Sequence, residues 1–112
     1  MPSQPATDVR GTPLRPADVV AYQPGAIVSR VLVKRPTGNV TLFAFDAGQE
    51  LSEHTAPFDA VLHVVEGRAA VTVGGAAHQV PAGELIVLPA DVPHAVRADG
   101  GPFKMLLTMI RG

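Results

Sequence analysis

The chain has 112 residues, a formal net charge of −1 and no cysteine. That length bounds a single domain with one modest hydrophobic core. Without cysteine, disulfides, thiolate catalysis and Cys-ligated zinc are all excluded.

A hydrophobic content of 46% beside 17% charged residues is that of a globular chain rather than a disordered one. No apolar run approaches the roughly 20 residues of a membrane helix. The start, Met1-Pro2-Ser3-Gln4-Pro5-Ala6, has neither a basic cluster nor an apolar stretch, so it does not read as a secretory signal. A cytoplasmic protein with no membrane partner is expected. Lys and Arg are scattered, and one Tyr, four Phe and no Trp leave little for base stacking, so nucleic acid is not an expected partner.

Residues 1–18 are polar and rich in proline (Pro2, Pro5, Pro13, Pro16), which predicts an extended or partly disordered, flexible arm. One domain is predicted over residues 19–112. Asp18 to Tyr22 reads as a first short strand ended by Pro24-Gly25. Short β-rich runs follow: Ala26 to Val33, Val40 to Phe45, Val61 to Val65, Ala69 to Val73, Ala77 to Val80, Leu85 to Leu88, Pro93 to Ala98 and Phe103 to Ile110. Turn signals separate them, among them Pro36-Thr37-Gly38-Asn39, Glu66-Gly67, Gly74-Gly75 and Asp99-Gly100-Gly101-Pro102. No window shows convincing helical periodicity. The pattern predicts an all-β sandwich or barrel. Leu85 to Leu88 and Leu106 to Ile110 are apolar on both faces, so one face can fill the barrel while the other meets a second subunit. A homodimer is expected.

Two stretches carry the chemistry. The first runs Gly48-Gln49-Glu50-Leu51-Ser52-Glu53-His54-Thr55-Ala56-Pro57-Phe58-Asp59-Ala60 and on to Gly67. The second runs Gly83 to Ala98 through Pro89, Asp91 and His94. In order and separation they resemble the paired motifs of the cupin superfamily. The resemblance covers roughly residues 26 to 110. It implies an all-β, jelly-roll-like antiparallel β-barrel of two packed sheets, often holding a divalent metal. In the family's first motif, Gly48, His54 and Gly67 match. The second His position is Ala56, and the Glu position is Ala60 on three-residue spacing or Val61 on four. In the second motif Gly83, Pro89 and His94 match, while Asp91 stands for a Gly and Ala98 for an Asn.

The frame works because alternate residues on a strand share one face, which lets imidazoles and a carboxylate converge on one ion. The resemblance implies His54 and His94 as ligands of Fe, Mn, Ni or Zn. His63 is the candidate third ligand. Three-residue spacing turns His63 away from the pocket, whereas four-residue spacing or a bulge near Asp59 turns it inward. Buried core or interface histidine is its other reading. His78 reads as a hairpin residue. Phe58, Asp59 and Leu62 are the candidate lining of a ligand pocket.

Two functions follow from these residues, beside a third reading of a purely structural or partner-binding barrel whose pocket is filled by side chains. One is binding of a small molecule in the barrel pocket, with a reduced or absent metal site because of Ala56 and Ala60. The other is a metal-dependent enzyme of oxygenase or isomerase type built on His54 and His94. Other constellations are missing: none of Ser3, Ser29 and Ser52 sits in a Gly-x-Ser-x-Gly elbow, and no glycine pair has the spacing of a phosphate loop.

Overall fold

The computed structural model describes residues 9–111. Residues 1–8 of the expected arm lie outside the described residues.

Among the described residues, nine strands follow one short helix. The helix is α1 (Pro16–Val19), and the strands are β1 (Ile27–Arg35), β2 (Gly38–Phe45), β3 (Glu50–His54), β4 (Asp59–Glu66), β5 (Arg68–Val73), β6 (Ala76–Pro81), β7 (Leu85–Leu88), β8 (His94–Arg97) and β9 (Phe103–Ile110). All ladders are antiparallel. They form a five-stranded sheet, β1-β2-β9-β4-β7, and a four-stranded sheet, β3-β8-β5-β6. The expected all-β architecture of two sheets is present. The expected strand at Asp18 to Tyr22 is not: Pro16 opens a helical turn there, since its fixed φ and missing N–H suit a first helical position.

Alternation places the core between the sheets. Phe43, Phe45, Leu62, Val64, Phe103 and Met105 point inward from the larger sheet, and Val71, Val80 and Val96 from the smaller. The Phe45 and Phe103 rings stack with centroids 4.5 Å apart. Leu42, Ala44 and Val28 point to the opposite face, where Val20, Tyr22 and Leu106 cover them. The segment that follows α1 thus packs on this sheet. Lys104 Nζ donates to the Ala17 carbonyl at 2.6 Å, and the Tyr22 hydroxyl donates to Glu66 Oε2 at 2.5 Å. Burial, with the Glu66 carboxylate alongside, pushes the Tyr22 phenol well above its ordinary value of 10.0.

Sharp reversals join the sheets. Gly67 alone separates β4 from β5, at φ +75°, and a β-carbon there would come within 2.6 Å of the Pro102 carbonyl oxygen. That close approach is why the chain has glycine at the end of its first motif.

Candidate functional site

β3 and β8 pair antiparallel, so the end of one lies against the start of the other and His54 sits opposite His94. Strict alternation from Leu51 would place Glu53, not His54, on the inner face. The ladder instead shifts register between Leu51 and His54, with three steps on β3 against two on β8. That bulge returns His54 to the face of Leu51, Val96 and His94.

The two rings meet. His54 Nε2 and His94 Nε2 are 3.2 Å apart, with ring centroids at 4.4 Å and planes at 68°. His54 Nδ1 lies 2.8 Å from the Ser52 carbonyl oxygen, and His94 Nδ1 lies 3.2 Å from that of Val92. A carbonyl can only accept, so each neutral ring carries its hydrogen on Nδ1 and presents a bare lone pair at Nε2. Two such lone pairs repel unless a proton or a metal ion lies between them. His94 is buried at 7% exposure while His54 is open to solvent. Burial lowers the pKa of His94 from 6.5; the Val92 carbonyl opposes that shift and nearby His54 adds to it.

A span of 3.2 Å suits two adjacent ligands of one divalent ion, given metal–nitrogen bonds of about 2.0–2.1 Å. Carbonyl-anchored Nδ1–H groups are the usual outer partners of ligating histidines. The pair fits a metal as two ligands and no more. Among the described residues no group of three or more His, Cys, Asp or Glu could hold an ion. Ala60 faces the barrel from β4 beside Leu88 and Met109, a small apolar group where a carboxylate would complete a site. Ala56 lies past the end of β3, its carbonyl accepting the Asp91 N–H at 2.8 Å.

One backbone detail fixes the motif alignment. Asp91, at the position of a motif glycine, is the only non-glycine among the described residues with positive φ, +65°. Aspartate tolerates that conformation better than most side chains. A family model described as "Cupin domain" matches residues 41–109.

The chain is a cupin.

Similar proteins share the fold closely. A conserved protein of unknown function from Streptococcus pyogenes is 33% identical, with a TM-score of 0.85 over 91% of this chain and 89% of that one. A cupin 2 conserved barrel domain protein from Leptotrichia buccalis is 44% identical, with a TM-score of 0.82 over 85% of this chain and 46% of that one. An uncharacterized protein of Streptomyces coelicolor is 45% identical over 56 residues, 50% of this chain and 53% of that protein. The match thus spans about half the length of that curated relative.

The structure distributes the other candidate residues of this cupin around the pair rather than on it. His63 is not brought to His54 and His94. β4 alternates regularly from Asp59, so Ala60, Leu62 and Val64 face the core and His63 faces outward. His63 lines a cleft of about 570 Å³ with Pro16, Ala17, Asp18 and Glu66. Three-residue motif spacing, with Ala60 at the carboxylate position, is the one realised. Leu62 is fully buried, at 0% exposure, in the core between the sheets.

Asp59 opens β4, and Phe58 precedes it in the loop that leaves His54. The Asp59 carboxylate accepts the Ala90 N–H at 2.8 Å and so ties the start of β4 to the loop that leads into His94. Phe58 is half-buried under the Arg111 guanidinium, 5.0 Å from its centroid. His78 is exposed on β6, the edge strand of the smaller sheet. Sequence reasoning missed the inward groups Asn39, Thr41, Phe43 and Met109, which line an open cleft of about 330 Å³. Strict alternation along β2 from the core residue Phe45 would have found them.

Proposed function

We propose that this cupin binds a small organic molecule at the barrel mouth, with His54 and His94 forming a reduced, two-ligand metal site. The convergence of the two Nε2 atoms at 3.2 Å carries the reading. Two neutral imidazoles held this way have no reason to face each other unless a cation or a polar ligand group shares them. With two protein ligands, a divalent ion binds weakly and keeps several open positions, which solvent or a chelating group of the bound molecule fills. A metal there would act as a Lewis acid on an oxygen of that molecule. The chain's own part is to orient both imidazoles through the Ser52 and Val92 carbonyls and to shield His94 from water.

The test is titration of chelator-stripped protein with Zn, Ni, Mn and Fe(II), beside a His54→Ala, His94→Ala double variant. Weak, saturable binding by wild type that vanishes in the variant is expected. Identical isotherms for the two proteins would overturn the reading. The companion readout is thermal stabilisation in a metabolite screen, since a ligand that binds only the folded state raises the unfolding temperature.

A metal-dependent oxygenase or isomerase is the second reading. The observation that favours it is the anchoring of both Nδ1 atoms, which pre-orients the ligands before an ion arrives. It requires near-stoichiometric metal in the protein as purified, and a turnover that is lost on stripping. A cytoplasmic location remains part of the proposal. Among the described residues, no helix is long and apolar enough to cross a membrane.

A further inference from the structure

The cleft beside the histidine pair has a charge character of its own. Its floor is apolar, from Phe43 of β2 and Met109 of β9, and its wall includes Val31 of β1. Its rim carries Lys34, Arg111 and Arg35, whose Nη1 donates to the Lys34 carbonyl at 2.9 Å, and no carboxylate of the described residues lines it. The ion pairs of the described residues lie elsewhere: Arg15 with Asp18, Arg97 with Asp99, and Lys104 with Glu66. Three like charges around one opening repel one another and draw in an anion.

Lys34 reaches this face because of a bulge. Regular alternation from Val31 would turn Lys34 outward. The β1–β2 register shifts between Val31 and Val33, so Val31 lies opposite Thr41 and Lys34 opposite Asn39, all on the inner face. Neutral donors complete the rim. The Thr41 hydroxyl donates to Asn39 Oδ1 at 3.2 Å, which leaves the two amide hydrogens of Asn39 to donate outward.

The cleft opens at the same end of the barrel as His54 and His94. Met109 pairs with both Asn39 and Ala60, and Asp59 pairs with Ile110, which brings the end of β9 to the start of β4. Arg111 then reaches over Phe58, in the loop that leaves His54. The larger cleft at His63 contrasts with this. Its Arg15 and Asp18 neutralise each other at 3.6 Å, and its Glu66 already faces Lys104.

We infer that the mouth cleft lined by Asn39, Thr41 and Met109 is an oxyanion subsite. It takes the carboxylate or phosphate head of a small organic anion on Lys34, Arg35 and Arg111, and its apolar body on Phe43 and Met109. The inference rests on the barrel mouth being the ligand site, as proposed above, and names the class of molecule that enters it. A volume of about 330 Å³ suits a molecule of one ring or a short chain.

Amide chemical shifts of ¹⁵N-labelled protein test it, with benzoate, phenyl phosphate and the neutral isostere benzamide as probes. Saturable shifts at Asn39, Thr41 and Met109 are expected with at least one anion, and benzamide should bind roughly ten-fold more weakly or not at all. The preferred anion identifies the head as carboxylate or phosphate. An Arg35→Gln, Arg111→Gln variant should lose roughly ten-fold in affinity for that anion while keeping its dispersed spectrum. Equal binding of benzamide, shifts confined to the His63 cleft, an undiminished affinity in the variant, or no binding of either anion each overturns the subsite. Zinc titrated into the same samples and followed at the His54 and His94 rings tests the two-histidine site independently, so the two readings can fail separately.

Discussion

Burying His94, with a second imidazole 3.2 Å away, has a cost that shows up in solution. In metal-stripped protein, the depressed pKa of His94 means that the unfolded chain takes up its proton more readily than the folded one. Stability from this group is therefore full above the unfolded value of about 6.5 and is lost as pH falls through that value toward the lower folded one. Denaturant midpoints measured between pH 8 and pH 5 should fall across that window, and His94→Asn should flatten the profile. Ala60 supports the same site from the opposite sheet. Ala60→Glu buries a carboxylate between Leu88 and Met109, at a cost without metal above the roughly 1–3 kcal/mol of an unsatisfied neutral group. If Ala60 stands where a ligand belongs, zinc should recover much of that loss, read as a larger metal-induced rise in melting temperature than wild type shows. His54 and His94 were legible in the sequence, because the motif spacing names both, whereas Ala60 was one of two positions, with Val61, that the spacing left open. The outward turn of His63 was legible only conditionally: it needed a choice between two spacings, and a regular β4 made that choice.

Elements here are held by their ends more than by their interiors. β4 passes to β5 through Gly67 alone, at positive φ and against the Pro102 carbonyl. Gly67→Ala should cost about 1–3 kcal/mol from backbone strain, with overlap adding to it, as a lowered urea midpoint with unchanged slope. The turn signals gave most strand limits to within a residue or two, since Gly and Pro interrupt ladders whatever the tertiary context. Three features escaped that reading, the first being β3 itself, whose polar Glu50–His54 stretch showed no β-rich run. Pro16 opens a helical turn that Lys104 Nζ holds through Ala17, a long-range contact with no local signature. The bulges in β1 and β3 leave hydrophobic alternation almost unmarked, because Leu32 and Ser52-Glu53 look like ordinary strand residues.

For the whole molecule, the two faces of the five-stranded sheet have unequal fates. The inner face is the core, and half of the outer face lies under Val20 and Tyr22. On the other half Leu85, Val87 and Ile110 are 57%, 50% and 56% exposed, with Leu85 and Val87 on the edge strand β7. An apolar stripe along an unpaired edge is self-complementary under a two-fold axis, and a second copy of the chain is the occupant we propose for it. Light scattering should give the mass of a dimer, and Leu85→Lys with Val87→Lys should give that of a monomer; a monomeric wild type would refute the assembly. The cleft on which the anion subsite depends is lined instead from the inner face, by Thr41, Phe43 and Met109.

The two bulges also bear on how this chain tolerates changes of length. Removing one residue from a strand ordinarily swaps every later side chain to the wrong face. Between Leu51 and His54 the effect is reversed, because the extra residue there is already unpaired. A chain one residue shorter at Ser52 or Glu53 would return β3 to plain alternation with Leu51 and His54 still sharing the inner face. Variation in length at that point, whether made in the laboratory or met in nature, is the kind this barrel can absorb without losing its pair of imidazoles.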